Sequence, residues 1–198
     1  MIVIGLTGGI AMGKSEVARI LQAKGVPVFD ADKEVHRLYD SPEGGGLVKP
    51  VAPTAVMDGK VERTRLSRLV LADPGLLKKL EAIVHAEIRK RRQHFLDTQR
   101  REGRGLVALD IPLLFETGAE KDVDVTVVVS AQPAIQHERA MARPGMTEEK
   151  LAMILKRQMP DAEKRARASH VIETNGTLDQ LHGRVHDVLR QIRKEHAL

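Results

Sequence analysis

Eight residues near the amino terminus have the types and spacing of a loop that binds phosphate groups. Residues 8–15 read GGIAMGKS and match the pattern G-x-x-x-x-G-K-[ST] at every fixed position. Glycines let successive backbone N–H groups turn toward phosphate oxygens, and the dipole of the following helix favours anions. In such a loop the lysine, here Lys14, lies toward the β- and γ-phosphates, and the hydroxyl of Ser15 can bind Mg²⁺. The pattern predicts a nucleoside triphosphate site; a glycine-rich turn without a ligand is the alternative. The candidate ATP-binding residues are Gly8, Gly9, Ile10, Ala11, Met12, Gly13, Lys14, Ser15 and Glu16.

Aspartates follow predicted buried strands, whose carboxyl ends form the usual ligand-binding edge of an open α/β sheet. From that edge Asp32 could accept a proton from an attacking hydroxyl group and could also bind Mg²⁺. The alternative is that Asp32 caps the helix that follows it, a position that aspartate fills well. Asp110 ends another strand, as the aspartate of a Walker-B motif does, and its role in binding the metal stays open.

Two arginines could stabilise the charge on a phosphoryl group during its transfer. Arg139 and Arg143 lie near the end of a predicted helix that leads into Pro144 and Gly145. This layout is typical of a mobile lid, predicted at about residues 139–150, that brings guanidinium groups onto the phosphates. Exposed helix arginines without a catalytic role are the alternative interpretation.

Strands and helices that alternate along the chain would position these side chains. A short apolar segment at Val3 and Ile4 leads into the glycines, and further strands are expected at 26–29, 106–109, 123–129 and 171–172. Helices are predicted at 14–24, up to about residue 39, and at 74–100, 133–142, 147–158 and from 177 onward, where Thr177 and Gln180 form a capping box. This alternation predicts a parallel sheet in a three-layer α/β fold.

The region from 34 to 103 differs from the rest of the chain. It lacks a strand pattern, and its prolines and glycines between residues 42 and 53 predict a long irregular connection. We therefore expect one domain whose core comprises residues 1–33 and 104–198, with a helical insert between them.

Composition excludes several classes of protein. Of the 198 residues, 42% are apolar and 30% are charged, which suffices for a buried core and argues against disorder or a fibrous repeat. There is no apolar run near the roughly 20 residues that a membrane span needs, and the first residues do not resemble a signal peptide, so a cytoplasmic protein is expected. The absence of cysteine excludes disulfides, cysteine-ligated zinc and a thiol nucleophile.

The charge balance and the aromatic content bear on the partner. A formal net charge of +5 suits a polyanionic small molecule, and also nucleic acid. Aromatic residues make up only 2% of the chain, so base stacking is disfavoured. An ATP-dependent nucleic-acid binder that uses Arg89, Arg91 and Arg92 remains the alternative of a different class, and it predicts affinity that falls steeply with salt. The small size and the absence of an N-K-x-D motif favour a phosphotransferase with a small acceptor over a GTPase switch.

Several segments taken together resemble the dephospho-CoA kinase family. They are residues 6–15 (LTGGIAMGKS), 30–32 (DAD), 58–63 with its D-G-x-x-x-R pattern, 80–85 (LEAIVH), 111–116 (IPLLFE), Gln158, and Asn175 with Gly176. The resemblance spans about residues 3–190 in the family's order. Departures from the family pattern are Ala11 and Met12 where Gly and Ser are usual, Glu16 where Thr is common, and Ala86 where Pro is common.

The resemblance implies a P-loop kinase core with a helical acceptor-binding insert and a lid. It implies transfer of the ATP γ-phosphoryl group to the ribose 3′-hydroxyl of dephospho-CoA with Mg²⁺ present, and Asp32 as the base. Acceptor-binding residues would be Asp32, Arg63, His85, Arg89 and Glu116, and Asn175 with Gly176 would lie near adenine. The metal ligands would be Ser15 and Asp32. Another small-acceptor kinase, acting on a nucleoside monophosphate or a sugar, is the alternative.

Overall fold

Short buried strands form a central sheet. Every strand pair of that sheet whose register is defined is parallel. The structure is a computed structural model that describes residues 1–197. Its strands are β1 (Ile2–Thr7), β2 (Val28–Asp30), β3 (Val56–Met57), β4 (Lys60–Val61), β5 (Leu106–Asp110), β6 (Val125–Ser130) and β7 (His170–Glu173). The central sheet has the order β2-β5-β1-β6-β7, and β1 pairs in parallel with both β5 and β6. This arrangement confirms the predicted α/β fold class.

Helices connect these strands. They are α1 (Lys14–Ala23), α2 (Ala31–Tyr39), α3 (Pro42–Val48), α4 (Arg63–Ala72), α5 (Pro74–Arg101), α6 (Pro133–Met141), α7 (Glu148–Arg157), α8 (Asp161–Arg167) and α9 (Leu178–Glu195). The capping box of Thr177 and Gln180 that the sequence predicts at the start of α9 is confirmed. At the start of α5, Asp73 accepts a hydrogen bond from the N–H of Gly75 at 2.8 Å.

The described residues divide into two compact units, which are residues 1–28 with 99–197, and residues 29–98. In the first unit, apolar side chains of the sheet pack against α1 and α9, where Val17, Ile20, Val185 and Ile192 are fully buried. The second unit has its own smaller cluster around Val48, Val61 and Leu80. Each unit therefore has the buried apolar surface that stabilises a fold.

The predicted irregular, strand-free connection in the insert is wrong. Residues 42–48 form α3, because Ser41 accepts the N–H of Gly44 at 3.2 Å and Pro42 occupies the first turn. Residues 56–61 form the hairpin β3–β4, whose two-residue turn places Asp58 at φ 48° and Gly59 at φ 76°.

Two further helices were not predicted, because the apolar period is short in the first and absent in the second. They are α4 and α8, and α8 reads DAEKRAR with Lys164 as its buried residue. A buried lysine gives no hydrophobic signal, so the pattern alone could not identify this helix. Within residues 1–197, no helix combines the length and the apolar character needed to cross a membrane.

Glycines within α3 test why that helix forms. A Cβ atom on Gly45 would lie 1.9 Å from the carbonyl oxygen of Gly59, whereas a Cβ on Gly46 would meet nothing within 4 Å. We expect Gly45→Ala to lower the free energy of unfolding by about 1–3 kcal/mol through overpacking. The matched change Gly46→Ala should raise it by about 0.4–1 kcal/mol, because alanine restricts the unfolded chain. Urea unfolding followed by circular dichroism measures both, and equal effects at the two positions would contradict this explanation.

Candidate active site

The phosphate-binding loop, residues 8–15, joins β1 to α1 at the centre of the sheet. A Cβ atom on Gly8 would lie 2.5 Å from the carbonyl oxygen of Val129, so only glycine allows the loop to leave β1 this close to β6. Gly13 has φ +91° and directly precedes the first residue of α1. The backbone N–H groups of the loop therefore lie next to the N-terminus of α1, and this combination is the geometry that binds phosphate.

The two loop residues that depart from the family pattern are Ala11 and Met12. Ala11 has φ +60°, a left-handed conformation that costs an L-residue roughly 1–2 kcal/mol. Met12 is buried, its Sδ accepts the N–H of Ala131 at 3.0 Å, and its N–H donates to the carbonyl of Gly9 at 3.2 Å. The methionine side chain therefore packs toward the end of β6 and holds the loop to it.

Cationic and hydroxyl groups are present at the start of α1. The ammonium group of Lys14 forms an ion pair and hydrogen bond with the carboxylate of Asp110, which is buried at the end of β5. Ser15 is exposed, and Glu16 forms an ion pair with Arg19 at 2.5 Å. A triphosphate bound by the loop would find the lysine already close to it.

The site offers hard oxygen ligands but no preformed metal cage. Among residues 1–197, no group of three or more His, Asp or Glu side chains could hold a metal ion. Mg²⁺ in nucleotide enzymes is bound through one or two protein oxygens together with phosphates, rather than by a complete protein cage. The hydroxyl of Ser15 and aspartate carboxylates are the donors of this kind that the sequence predicts, so the residues fit the ion.

Arg139 lies in α6 and binds the end of β7. Its guanidinium group donates to the hydroxyl and to the carbonyl of Thr174, each at 2.9 Å. The Thr174 hydroxyl in turn donates to the carbonyl of Met12 at 2.8 Å. Both of these acceptors are neutral oxygens, so these hydrogen bonds do not neutralise the positive charge of Arg139. Arg143 is exposed beyond the end of α6.

Thr174 was not singled out in the sequence, although it links the loop to Arg139. Threonine is common at strand ends, and no local pattern distinguishes this one. Only its contacts in three dimensions reveal the connection.

Asn175 and Gly176 follow β7 and precede α9. The side-chain oxygen of Asn175 accepts the N–H of Gln132 at 2.9 Å, and its carbonyl accepts from Arg184 at 2.5 Å. Gly176 has φ +96°. The turn is therefore held on both sides, which suits a backbone contact to a base; the adenine role stays a prediction.

Glu116 lies in the connection after β5 and forms a buried ion pair. Its carboxylate binds the ammonium of Lys164 at 2.7 Å and accepts the N–H of Met159 at 2.8 Å. Burial raises the pKa of Glu116, but these two hydrogen bonds outweigh it, so the pKa lies below its ordinary value. These contacts are to protein groups of its own unit, and the acceptor-binding role of Glu116 stays a prediction.

In the unit of residues 29–98, the two aspartates at the end of β2 and the start of α2 have different surroundings. Asp30 caps α2, because its side chain accepts the N–H of Lys33 at 3.0 Å. Asp32 lies in the first turn of the helix and is exposed. Since Asp30 caps α2, the helix does not need Asp32 as its cap.

The same unit contains the other predicted acceptor-binding residues. Arg63 forms an ion pair with Asp40 at 3.0 Å. His85 lines a cavity of about 230 Å³ whose apolar wall includes Tyr39, and burial raises the pKa of the Tyr39 phenol. Arg89 is exposed one helical turn after His85 in α5, so the two side chains share a helix face.

The predicted site residues therefore fall into both units. The first unit contains the phosphate-binding loop together with Arg139, Arg143, Glu116, Asn175 and Gly176, and the second contains Asp32, Arg63, His85 and Arg89. The loop, Lys14 and Arg139 form an arrangement that can bind a triphosphate.

Comparison with known proteins identifies the family. A family model described as dephospho-CoA kinase matches residues 2–180. The dephospho-CoA kinase of Rhodopseudomonas palustris is 46% identical over 194 residues, which is 98% of this chain and 97% of that protein. The dephospho-CoA kinase of Brucella melitensis is 49% identical over 189 residues, which is 96% of this chain and 94% of that protein.

Solved structures agree with this result. A crystal structure from Thermus thermophilus is 40% identical, with a TM-score of 0.79 over 96% of this chain and 97% of that one. The dephospho-CoA kinase of Campylobacter jejuni shares the fold with a TM-score of 0.73 at 23% identity, over 98% of both chains. Shikimate kinase from Acinetobacter baumannii, at a TM-score of 0.53 and 20% identity, shares the fold alone. Because the family model matches residues 2–180, which is most of the chain, this chain belongs to the dephospho-CoA kinase family.

Proposed function

We propose that this chain transfers the γ-phosphoryl group of ATP to the ribose 3′-hydroxyl of dephospho-CoA, giving coenzyme A and ADP, which is the final step of coenzyme A synthesis. The observation that carries the proposal is the complete phosphate-binding loop in a chain whose relatives over nearly its full length are dephospho-CoA kinases. The alternative, a kinase for a nucleoside monophosphate or a sugar, is supported only by similarity of fold. Because the reaction consumes ATP, we assign it to the cytoplasm.

On the ATP side, the loop's backbone N–H groups and the N-terminus of α1 bind the phosphate oxygens. Lys14 exchanges its carboxylate partner for the β- and γ-phosphates. Asn175 and Gly176 contact adenine through their backbone. These groups act by position and charge, which is the main requirement of phosphoryl transfer.

The metal accompanies ATP. When bound, Mg²⁺ neutralises charge on the β- and γ-phosphates. Ser15 through its hydroxyl and Asp32 through its carboxylate are the residues that would hold it.

Asp32 accepts the proton of the 3′-hydroxyl. Its support is an exposed carboxylate directly after a sheet strand, with the helix cap already supplied by Asp30. A carboxylate at that place removes the proton as the hydroxyl oxygen attacks phosphorus.

Four arginines and one histidine bind either the phosphoryl group that is transferred or the acceptor. Arg139 and Arg143 bring guanidinium groups to the transferred phosphoryl group, where bidentate hydrogen bonds stabilise its charge. Arg63, His85 and Arg89 bind the acceptor. Their support is that they lie in one unit, where His85 and Arg89 share one face of α5.

The reaction is tested directly by incubating the pure protein with Mg·ATP and dephospho-CoA. Mass spectrometry should show the acceptor gaining one phosphate. AMP, CMP and gluconate serve as competing acceptors in the same assay, and faster turnover of any of them would favour the alternative kinase.

Replacing the proposed base separates chemistry from binding. We expect Asp32→Asn to lower kcat by about 10²–10⁴-fold, with affinity for ATP changed only a few-fold. The matched control is Asp30→Asn, because asparagine caps a helix as well as aspartate does, and it should keep most of the activity. Steady-state kinetics and nucleotide titration measure both variants. Near-normal turnover in Asp32→Asn would remove this residue from the mechanism.

Removing the loop lysine should affect triphosphate positioning. We expect Lys14→Ala to lower kcat/KM for ATP by about 10–100-fold, since a hydrogen bond to a charged group contributes about 1.5–3 kcal/mol. Lys24→Ala, at the other end of α1, removes an exposed lysine and should leave kinetics unchanged. Full kcat/KM in Lys14→Ala, measured by ADP release, is the result that this mechanism does not allow.

A further inference from the structure

We infer that Gln136 and Gln158 are positioning residues that hold the phosphate-binding loop in its nucleotide-binding conformation. The inference deepens the proposed function and rests on the proposed ATP site, but not on the identity of the acceptor. Neither glutamine was assigned a role above, although Gln158 is one of the residues that carry the family resemblance.

Both glutamines bind the backbone of one loop residue. The N–H of Ile10 donates to the side-chain oxygen of Gln158 at 3.0 Å, and the carbonyl of Ile10 accepts from the side-chain nitrogen of Gln136 at 2.9 Å. The donor and the acceptor of this residue are therefore both fixed by side chains from outside the loop. We call Gln136, Ile10 and Gln158 the glutamine clamp.

The residue after Ile10 is the one that needs to be held. Ala11 is in the left-handed region at φ +60°, where an alanine is strained and a glycine is not. Such conformations persist when the surrounding structure leaves no relaxed alternative. The glutamine clamp fixes the backbone on one side of Ala11, and the Thr174 hydroxyl fixes the carbonyl of Met12 on the other.

Apolar contacts reinforce the clamp from the same helices. The methyl group of Ala11 is buried against Ala140 of α6 and Leu151 of α7. Gln136 belongs to α6 and Gln158 follows the last residue of α7. The loop is therefore held by both helices that flank the predicted lid.

Gln158 is itself fixed in place. The N–H of the next residue, Met159, donates to Glu116 at 2.8 Å, and Glu116 binds the fully buried Lys164 at 2.7 Å. Glu116 thus positions the segment that carries Gln158. Glu116 therefore supports the phosphate-binding loop indirectly, because it fixes the residue next to Gln158.

Loss of the clamp has a specific expected effect. Neither glutamine is in the set proposed to meet the reacting atoms, so without the clamp the loop relaxes at Ala11 and its N–H groups no longer converge. We expect Gln158→Met, which keeps the side chain's length and removes the acceptor, to weaken Mg·ADP binding about five- to tenfold. When Gln136→Met is combined with Gln158→Met, the further loss of Mg·ADP affinity should be smaller than the loss that Gln136→Met causes alone, because both side chains hold the same residue.

The test is isothermal titration of the intact protein with Mg·ADP, with thermal unfolding of every variant alongside. Gln93→Met is the matched control, because it removes a hydrogen bond to Asp97 on the exposed face of α5. It should bind Mg·ADP as the unmodified protein does. Because ADP binding needs no acceptor, failure to phosphorylate dephospho-CoA would refute the proposed function and leave this inference standing.

A second variant distinguishes positioning from general packing. Glycine at position 11 adopts φ +60° without strain, so Ala11→Gly combined with Gln158→Met should recover affinity to within about two- to threefold of the unmodified protein. Recovery in the double variant supports the inference. Unchanged Mg·ADP affinity in Gln158→Met, or a loss that Ala11→Gly does not relieve, overturns it.

Discussion

A phosphate-binding loop must keep its backbone N–H groups turned inward, and here it must do so with an alanine in the left-handed region. That constraint explains several contacts that would otherwise look unrelated. The Met12 thioether binds the N–H of Ala131, and the Thr174 hydroxyl binds the Met12 carbonyl. A side chain of the loop and a hydroxyl from outside it thus anchor the loop just after Ala11 to the ends of β6 and β7. The loop conformation is therefore a property of the whole unit of residues 1–28 and 99–197, and not of its eight residues alone.

The order of the sheet makes these contacts possible. Because β1 lies between β5 and β6, the loop after β1 is adjacent to the ends of both neighbours. Asp110 comes from β5, the N–H of Ala131 follows β6, and Thr174 follows β7. Chain segments that are far apart in sequence therefore reach one loop through strands of one direction, as the binding edge of a parallel sheet requires.

Sequence patterns identified the strands of the central sheet and the loop, because short apolar runs, and the glycines that follow the first of them, are local signals. They missed α3, whose three consecutive glycines predict a break, because the close approach of Gly45 to Gly59 depends on a hairpin not visible locally. They missed α8 for a related reason, since its buried side chain is Lys164, which is stabilised by Glu116 far away in sequence. Thr174 and Gln136 carry no signal at all, because their importance lies in the backbone atoms that they bind.

The two cations beside the loop differ in a way that matters for binding. Lys14 is held by a buried carboxylate, so its side chain is already ordered but its charge is largely balanced. The hydrogen bonds that order Arg139 go to two neutral oxygens of Thr174, so these bonds do not neutralise its charge. Ordered side chains lose little further entropy when a ligand arrives, which favours affinity. In the mechanism that we propose, the initial attraction for a triphosphate therefore comes from the loop N–H groups and Arg139, and Lys14 contributes once phosphate oxygens replace the carboxylate of Asp110.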